Sequence, residues 1–143
     1  MATDAVHSTI YFDTFITVAP DSTATEGTEP PVSANPSVAA RTYALIASAP
    51  YTLTSDDVIF TVWAERKDVP ASPEARAEFF AKPQPCLRAS DLPKRYGWGI
   101  HSDKAGRLAL YSVGSPEYQA FASGGSPLDG TPVTVKPAMR VGR

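Results

Sequence analysis

The spacing of apolar residues predicts strands near both ends of the sequence and in its middle. Over Thr9–Val18, aromatic and β-branched residues recur at alternate positions, which favours a strand over a helix. The segment Val58–Glu65 alternates in the same way, and bulky side chains on both sides indicate a central strand. Two further strands, Tyr96–Ser102 and Arg107–Val113, are joined by a loop that ends in glycine, which is typical of a hairpin. A last strand is expected at Pro132–Lys136.

Three prolines that follow Asn or Ser predict where helices begin. The polar residue can cap the helix, and proline suits the first helical turn because that turn has no partner for its N–H groups. The expected helices are about Pro36–Ser48, about Pro73–Ala81 and a short one from Pro116 to Gly124. Residues 20–36 are polar and rich in Pro, Ser and Thr, so we expect a long loop there.

These elements predict one α+β domain over residues 1–143. A chain of 143 residues has the usual length of a single domain, which is roughly 100–200 residues. The predicted order is strand, helix, strand, helix, hairpin, helix, strand. We therefore expect a two-layer domain in which about three helices cover one face of a largely antiparallel sheet of four or five strands.

Composition and charge argue against several classes of protein. No apolar run reaches the roughly 20 residues of a membrane-spanning helix, and the N-terminus does not resemble a signal peptide. One cysteine excludes an internal disulfide, and two distant histidines are poor metal ligands. The net charge of −2 disfavours nucleic acid, and no nucleotide-binding glycine motif is present. We expect a cytoplasmic protein that uses no membrane, metal or cofactor.

The strongest polar signal is a locally basic segment in a mildly acidic chain. Residues 82–107 contain six Lys or Arg against two Asp, whereas residues 1–40 contain five acids and no base. Basic side chains suit carboxylate or phosphate groups, and the glycines beside the tryptophan of this segment permit close approach of a ligand. We expect a binding module for a small anionic ligand or partner, held by Arg88, Ser90, Lys94, Arg95, Tyr96 and Trp98.

A structural alternative stays open for the same bases. Arg88 can form an ion pair with Asp56 or Asp57, while the other bases are solvated. Asp13 lies among the phenylalanines of the first predicted strand, where a carboxylate either faces water or meets a buried base such as Arg88 or Arg95. Charge complementarity between the acidic N-terminal region and the basic segment 82–107 favours such a pairing.

Cys86 and His101 offer a catalytic alternative to the binding module. A thiolate beside an imidazole, oriented by Asp103, Asp56 or Asp57, forms the nucleophile and base of an enzyme. The competing interpretation makes Cys86 a small buried hydrophobe and His101 a hydrogen-bonding residue of its strand. A third class is a structural or interaction protein, for which a homodimer is expected.

Four stretches of the sequence resemble one known family. They are YFDTFITVAPD at 11–21, TSDDVIFTV at 54–62, QPCLRASDLPKRYGWGIHSDKAGRLALY at 84–111, and the ending KPAMRVGR. Together they resemble domain-of-unknown-function family 6157, a group of small uncharacterised bacterial and fungal proteins. The resemblance covers nearly the whole chain. It implies a stand-alone cytoplasmic protein, and it implies no activity, because the family has none assigned.

Overall fold

A four-stranded sheet with helices on both faces organises residues 7–142, which are the residues that the computed structural model describes. The α+β class expected from the sequence is confirmed, with five α-helices in the described residues instead of about three. In chain order the elements are β1 (Thr14–Thr17), α1 (Val38–Ser48), α2 (Ser55–Lys67), α3 (Pro73–Phe80), a 3-10 turn (Leu87–Ala89), α4 (Asp91–Arg95), β2 (Trp98–Ser102), β3 (Leu108–Ser112), α5 (Pro116–Ala122) and β4 (Thr134–Pro137).

The sheet has the strand order β3-β2-β1-β4 and is mixed. The β1–β2 and β2–β3 pairs are antiparallel, and β2 and β3 form the expected hairpin. The β1–β4 pair is parallel, because the chain crosses the sheet through α5 before it adds the last strand. The expectation of a largely antiparallel sheet was therefore wrong at one edge, where the connection is a helix and not a turn.

The predicted central strand Val58–Glu65 is the helix α2. Thr54 and Asp57 form a capping box at its start, each side chain accepting a hydrogen bond from the other residue's backbone N–H. Val58 and Val62 face the sheet, whereas Phe60 and Ala64, also four residues apart, face α3. Two buried stripes on one helix bury every second residue, so the pattern imitated a strand. α2 is buried on two sides because it lies between the sheet and α3.

Adjacent residues of β1 show that the two faces of the sheet have different cores. Ile16 packs with Ile46 of α1 and with side chains of α2. Phe15, whose side chain points to the other face, packs with Tyr118 and Phe121 of α5. Helices therefore cover both faces, whereas the sequence predicted two layers with the helices on one face. None of the helices in residues 7–142 has the length and apolarity needed to cross a membrane.

The local start signals of the other helices agree with the sequence. Ser72 and Ser115 cap α3 and α5, with proline next to each cap. In α1 the capping residue is Ser37 and not Asn35. The first predicted strand is shortened to Thr14–Thr17, because Asp13 adopts a left-handed backbone with φ of +46°. The polar segment 20–36 has neither helix nor strand, as expected.

Candidate functional site

Arg88, the first ligand residue expected from the sequence, is bonded to the C-terminal strand. Its Nε donates to the carbonyl of Pro137 at 2.7 Å, and its own carbonyl accepts the N–H of Met139 at 2.8 Å. The predicted ion pair with Asp56 or Asp57 is absent from the ion pairs of the described residues. Asp57 pairs with Arg76, and Asp56 accepts from the Thr9 backbone N–H and hydroxyl.

The neighbouring expected residues build α4, the short helix Asp91–Arg95. The Ser90 hydroxyl caps it by accepting the N–H of Leu92 at 3.1 Å. Arg95 pairs with Asp91 one turn away at 3.4 Å, and both side chains are about half exposed. Lys94 is half-buried on the same helix. The segment 86–95 therefore forms a 3-10 turn and a helix, and its side-chain contacts are those of a helix rather than of a loop that encloses a ligand.

Tyr96 and Trp98 hold the long polar loop 20–36 against the sheet. The carbonyl of Tyr96 accepts the N–H of Thr28 at 2.8 Å, and the Trp98 indole N–H donates to the Thr28 carbonyl at 2.9 Å. Gly27 lies against the indole so closely that a Cβ there would clash. Trp98 also lies 5.5 Å from the ring of Tyr43, where both line a cavity of about 310 Å³ beside β3.

Cys86 is a partly buried thiol on the α1 and α2 face of the sheet. Its Sγ lies 3.3 Å from the hydroxyl of Tyr11, and this hydrogen bond, followed by burial, raises the pKa of Tyr11. A cavity of about 200 Å³ adjoins the thiol and is lined mainly by apolar side chains. Its lining residues are Val38, Thr42, Ile59, Val62, Pro85, Cys86, Leu87, Ala89 and Ser90.

His101 lies on the opposite face, so the structure does not bring it together with Cys86. The ring of His101 is 4.3 Å from the ring of Phe121 on α5, whereas Leu87, next to Cys86, belongs to the core below α1 and α2. The sheet itself separates the thiol from the imidazole. A nucleophile–base pair of Cys86 and His101 is therefore not formed, and the spacing along the sequence could not reveal this because it depends on which way each side chain faces.

His101 is instead the end of a chain of hydrogen bonds. Its Nδ1 lies 2.7 Å from the hydroxyl of Tyr51, which lies 2.9 Å from the hydroxyl of Tyr111. Both hydroxyls can donate or accept, so the chain can run in either direction. When Tyr51 donates to Nδ1, Nε2 carries the proton; when Nδ1 donates to Tyr51, Nε2 is a free acceptor. The same imidazole can thus serve a ligand as donor or as acceptor.

Burial keeps the imidazole of His101 and the phenol of Tyr51 neutral at neutral pH. Burial lowers the pKa of His101 below its ordinary 6.5, and the carboxylates of Asp103, Asp13 and Asp129 oppose that change. Burial, together with the Tyr111 hydrogen bond, raises the pKa of Tyr51 far above that of a free tyrosine. A neutral imidazole is therefore held by a protonated phenol.

A cavity of about 400 Å³ lies over His101, at the end of β1 and β2. His101 is only 4% exposed, yet no hydrogen bond from residues 7–142 reaches its Nε2. No buried side-chain nitrogen or oxygen of these residues lacks a partner, so Nε2 must be open to the cavity. The cavity is lined by Asp13, Tyr51, His101, Asp103, Lys104, Ser126, Leu128, Asp129 and Thr131.

Backbone hydrogen bonds bring these distant residues to one place. Tyr51 has a left-handed φ of +57°, and its N–H donates to the carbonyl of Leu108 at 2.7 Å, which sets it against the edge of β3. The small side chain of Ala109, opposite His101 in the register, leaves space for the phenol to reach across. Asp13 bonds through its N–H to the carbonyl of Asp103 and through its carbonyl to the N–H of Thr134.

The loop between α5 and β4 closes the other side of the cavity. Ser126 N–H donates to the Thr131 carbonyl at 2.9 Å, and the N–H of Thr131 donates to the Asp129 carboxylate at 3.0 Å. This loop and Tyr51 were missed in the sequence, which offered only turn-forming residues as a signal. No group of three or more His, Cys, Asp and Glu side chains in residues 7–142 is arranged to hold a metal ion.

Comparison with known protein families gives a match that covers the cavity and most of the chain. A family model described as "Family of unknown function (DUF6157)" matches residues 6–141. The chain belongs to this family. The resemblance seen in the sequence motifs is thereby confirmed, and the whole His101 cavity lies within the DUF6157 match. No curated protein and no solved structure is similar enough to the chain to count as a match.

Proposed function

We propose that the protein is a binding module for a small polar molecule that occupies the cavity over His101. The single observation that carries the proposal is the Nε2 atom of His101: the residue is 4% exposed, and this atom has no partner among the described residues and opens to the cavity. Nε2 therefore offers a ligand in the cavity a fixed hydrogen-bonding atom that no other group of the described residues uses.

The size and construction of the cavity support this proposal. A volume of about 400 Å³ is within the range of roughly 300–1,000 Å³ for small-molecule sites. Tyr51 fixes the imidazole from behind, and the ring of Phe121 supports it from the side. A ligand therefore meets an already oriented group, which lowers the entropic cost of binding.

The sequence-based binding module is kept in this proposal, but its location changes. The expected residues Arg88, Ser90 and Arg95 have partners within the chain, which weakens the argument that they hold a ligand. His101, expected as a catalytic base, becomes the ligand-binding group. An enzyme that uses Cys86 with His101 has no support, because the two lie on opposite faces of the sheet.

The proposal is tested by screening fragment-sized amines, alcohols, amides and carboxylates against the full chain by NMR. The chain has two histidines, so His7 gives an internal reference for the His101 imidazole signal. We expect hits that shift the His101 signal and leave the His7 signal in place. The absence of any fragment that does so would overturn the proposal.

Two variants and a control locate the hits. His101→Asn keeps a polar atom near the position of Nδ1 for Tyr51 and removes Nε2, so binding should be lost. Leu128→Trp places a large ring at the exposed rim of the cavity, away from the buried imidazole, and should also block binding. Cys86→Ser, on the opposite face, should bind as the natural chain does. Binding that survives both cavity variants would contradict the proposed site.

A further inference from the structure

The charges around the His101 cavity are strongly unequal. Three carboxylates, those of Asp13, Asp103 and Asp129, line it, against one ammonium, that of Lys104. None of the three carboxylates takes part in the ion pairs found in residues 7–142. With His101 neutral, the lining carries more negative than positive charge, and the protein itself does not compensate it.

Two of the three carboxylates, those of Asp103 and Asp129, are held in place by backbone N–H groups. Asp103 accepts the N–H groups of Ala105 and Arg107 through one oxygen, Oδ1, at 2.9 Å each. Asp129 likewise uses Oδ1 to accept the N–H of Thr131 at 3.0 Å. These bonds orient the carboxylates of Asp103 and Asp129, and the second oxygen of each accepts none of the backbone N–H groups of the described residues. Oriented anionic oxygens of this kind bind ammonium groups through charge-assisted hydrogen bonds.

We propose that the ligand of this cavity is a small organic cation, an amine that places its ammonium group among Asp13, Asp103 and Asp129 and a second polar group at Nε2 of His101. This inference rests on the proposed function, because it assumes that the cavity binds a ligand. It reverses the sign expected from the sequence, where the basic segment pointed to an anion. Of the six bases of that segment, Lys104 alone is among the lining residues, and the acids that line the cavity come from three separate parts of the chain.

Three compounds of equal chain length separate charge from size. Butanediamine is a dication, butanediol is neutral and succinate is a dianion at neutral pH. Each is titrated into the full chain while the His101 and His7 imidazole signals are followed by NMR. We expect butanediamine to shift the His101 signal saturably, with affinity that falls as salt is added. Butanediol should bind about tenfold or more weakly, the equivalent of losing one charge-assisted hydrogen bond, and succinate should not bind.

Charge-changing variants test which residues attract the cation. Asp129→Asn keeps the acceptor for the Thr131 N–H, and Asp13→Asn keeps a residue type that tolerates the left-handed backbone at that position. Each of these substitutions should weaken the binding of butanediamine about tenfold. Lys104→Gln removes the opposing positive charge of an exposed side chain and should strengthen the binding of butanediamine. Thermal unfolding of each variant shows that it is folded.

The outcomes separate this inference from the proposed function. If butanediol or succinate shifts the His101 signal as strongly as butanediamine does, and Leu128→Trp abolishes the shift, the cavity binds ligands and the cation assignment is wrong. An affinity for butanediamine that the two Asp→Asn variants leave unchanged would also overturn it. If butanediamine does not shift the His101 signal at millimolar concentration, the cation assignment fails, and the fragment screen decides the proposed function separately.

Discussion

The two faces of the sheet carry cavities of opposite character. The cavity beside Cys86 measures about 200 Å³ and is enclosed mainly by apolar side chains of α1, α2 and the 3-10 turn. The cavity over His101 measures about 400 Å³ and is enclosed by carboxylates, hydroxyls and an imidazole. The basic residues that follow Cys86 lie in a turn and a short helix, whereas the partners of His101 come from scattered positions. In this protein, therefore, the basic segment forms part of the fold, whereas long-range contacts bring together the residues of the more polar cavity.

The largest expected effect tests whether the sheet insulates the two faces. Phe121 is fully buried beside His101. Phe121→Ala should therefore lower the free energy of unfolding by about 3–5 kcal/mol and shift the His101 signal. Ile46→Ala on the other face should cost about 2–5 kcal/mol and leave that signal in place. Urea unfolding and imidazole NMR measure both. A similar shift in the two variants would show that the faces are coupled.

A second prediction concerns pH and belongs to the His101 face alone. The pKa of His101 is lower in the folded chain than its ordinary 6.5. Between those two values the unfolded chain binds a proton that the folded chain does not. The free energy of unfolding should therefore fall as pH drops below about 6.5, by up to roughly 1.4 kcal/mol per pH unit, and level off below the folded value.

Matched histidine variants identify the source of this pH dependence. Urea unfolding at a series of pH values should lose the slope in His101→Asn and keep it in His7→Asn. Asp57, Asp21 and Asp129 have lowered pKa values, so the stability they contribute is lost only as pH falls below about 3.8, in a separate window. A slope between pH 5 and 6.5 that survives in His101→Asn would assign it to another group.

The smallest expected effect is the response of one face to chemistry on the other. Cys86 is partly exposed, so iodoacetamide should alkylate it in the folded chain, as intact mass would show. Because the sheet lies between, the His101 signal and the butanediamine affinity should not change. Cys86→Ser treated in the same way controls for reaction elsewhere. A shifted His101 signal after alkylation would show that Cys86 and His101 are coupled across the sheet.

Local chemistry explains what could be predicted from the sequence. Ser72 and Ser115 begin helices because a capping hydroxyl and a following proline act within one turn. The hairpin of β2 and β3 follows from a short loop between apolar runs. α2 was mistaken for a strand because a helix buried on two sides hides the usual period, although Thr54 and Asp57 carried the capping signal.

The candidate site was only partly predictable, because its parts meet across long stretches of chain. His101 was singled out, and Asp13 was noted as an acid in an apolar strand. Tyr51 is 50 residues from His101 in the sequence, and its role depends on a left-handed backbone and on a small residue at position 109. No pattern of spacing indicates such a contact. Arg88 was misjudged for the same reason, since its partner carbonyl is 49 residues away.

The position of Arg88 has a consequence for how the molecule behaves in concentrated solution. In β4 and directly after it, the N–H groups of Thr134 and Ala138 donate to the β1 side of the sheet. The backbone groups of Pro137 and Met139, at alternate positions, therefore face away from β1. Arg88 occupies both of these groups, while Tyr51 and Leu53 bond to the outer edge of β3. Exposed strand edges are templates for aggregation, and here the chain itself occupies part of each margin. These contacts disfavour the extension of one sheet into another between two copies of the chain.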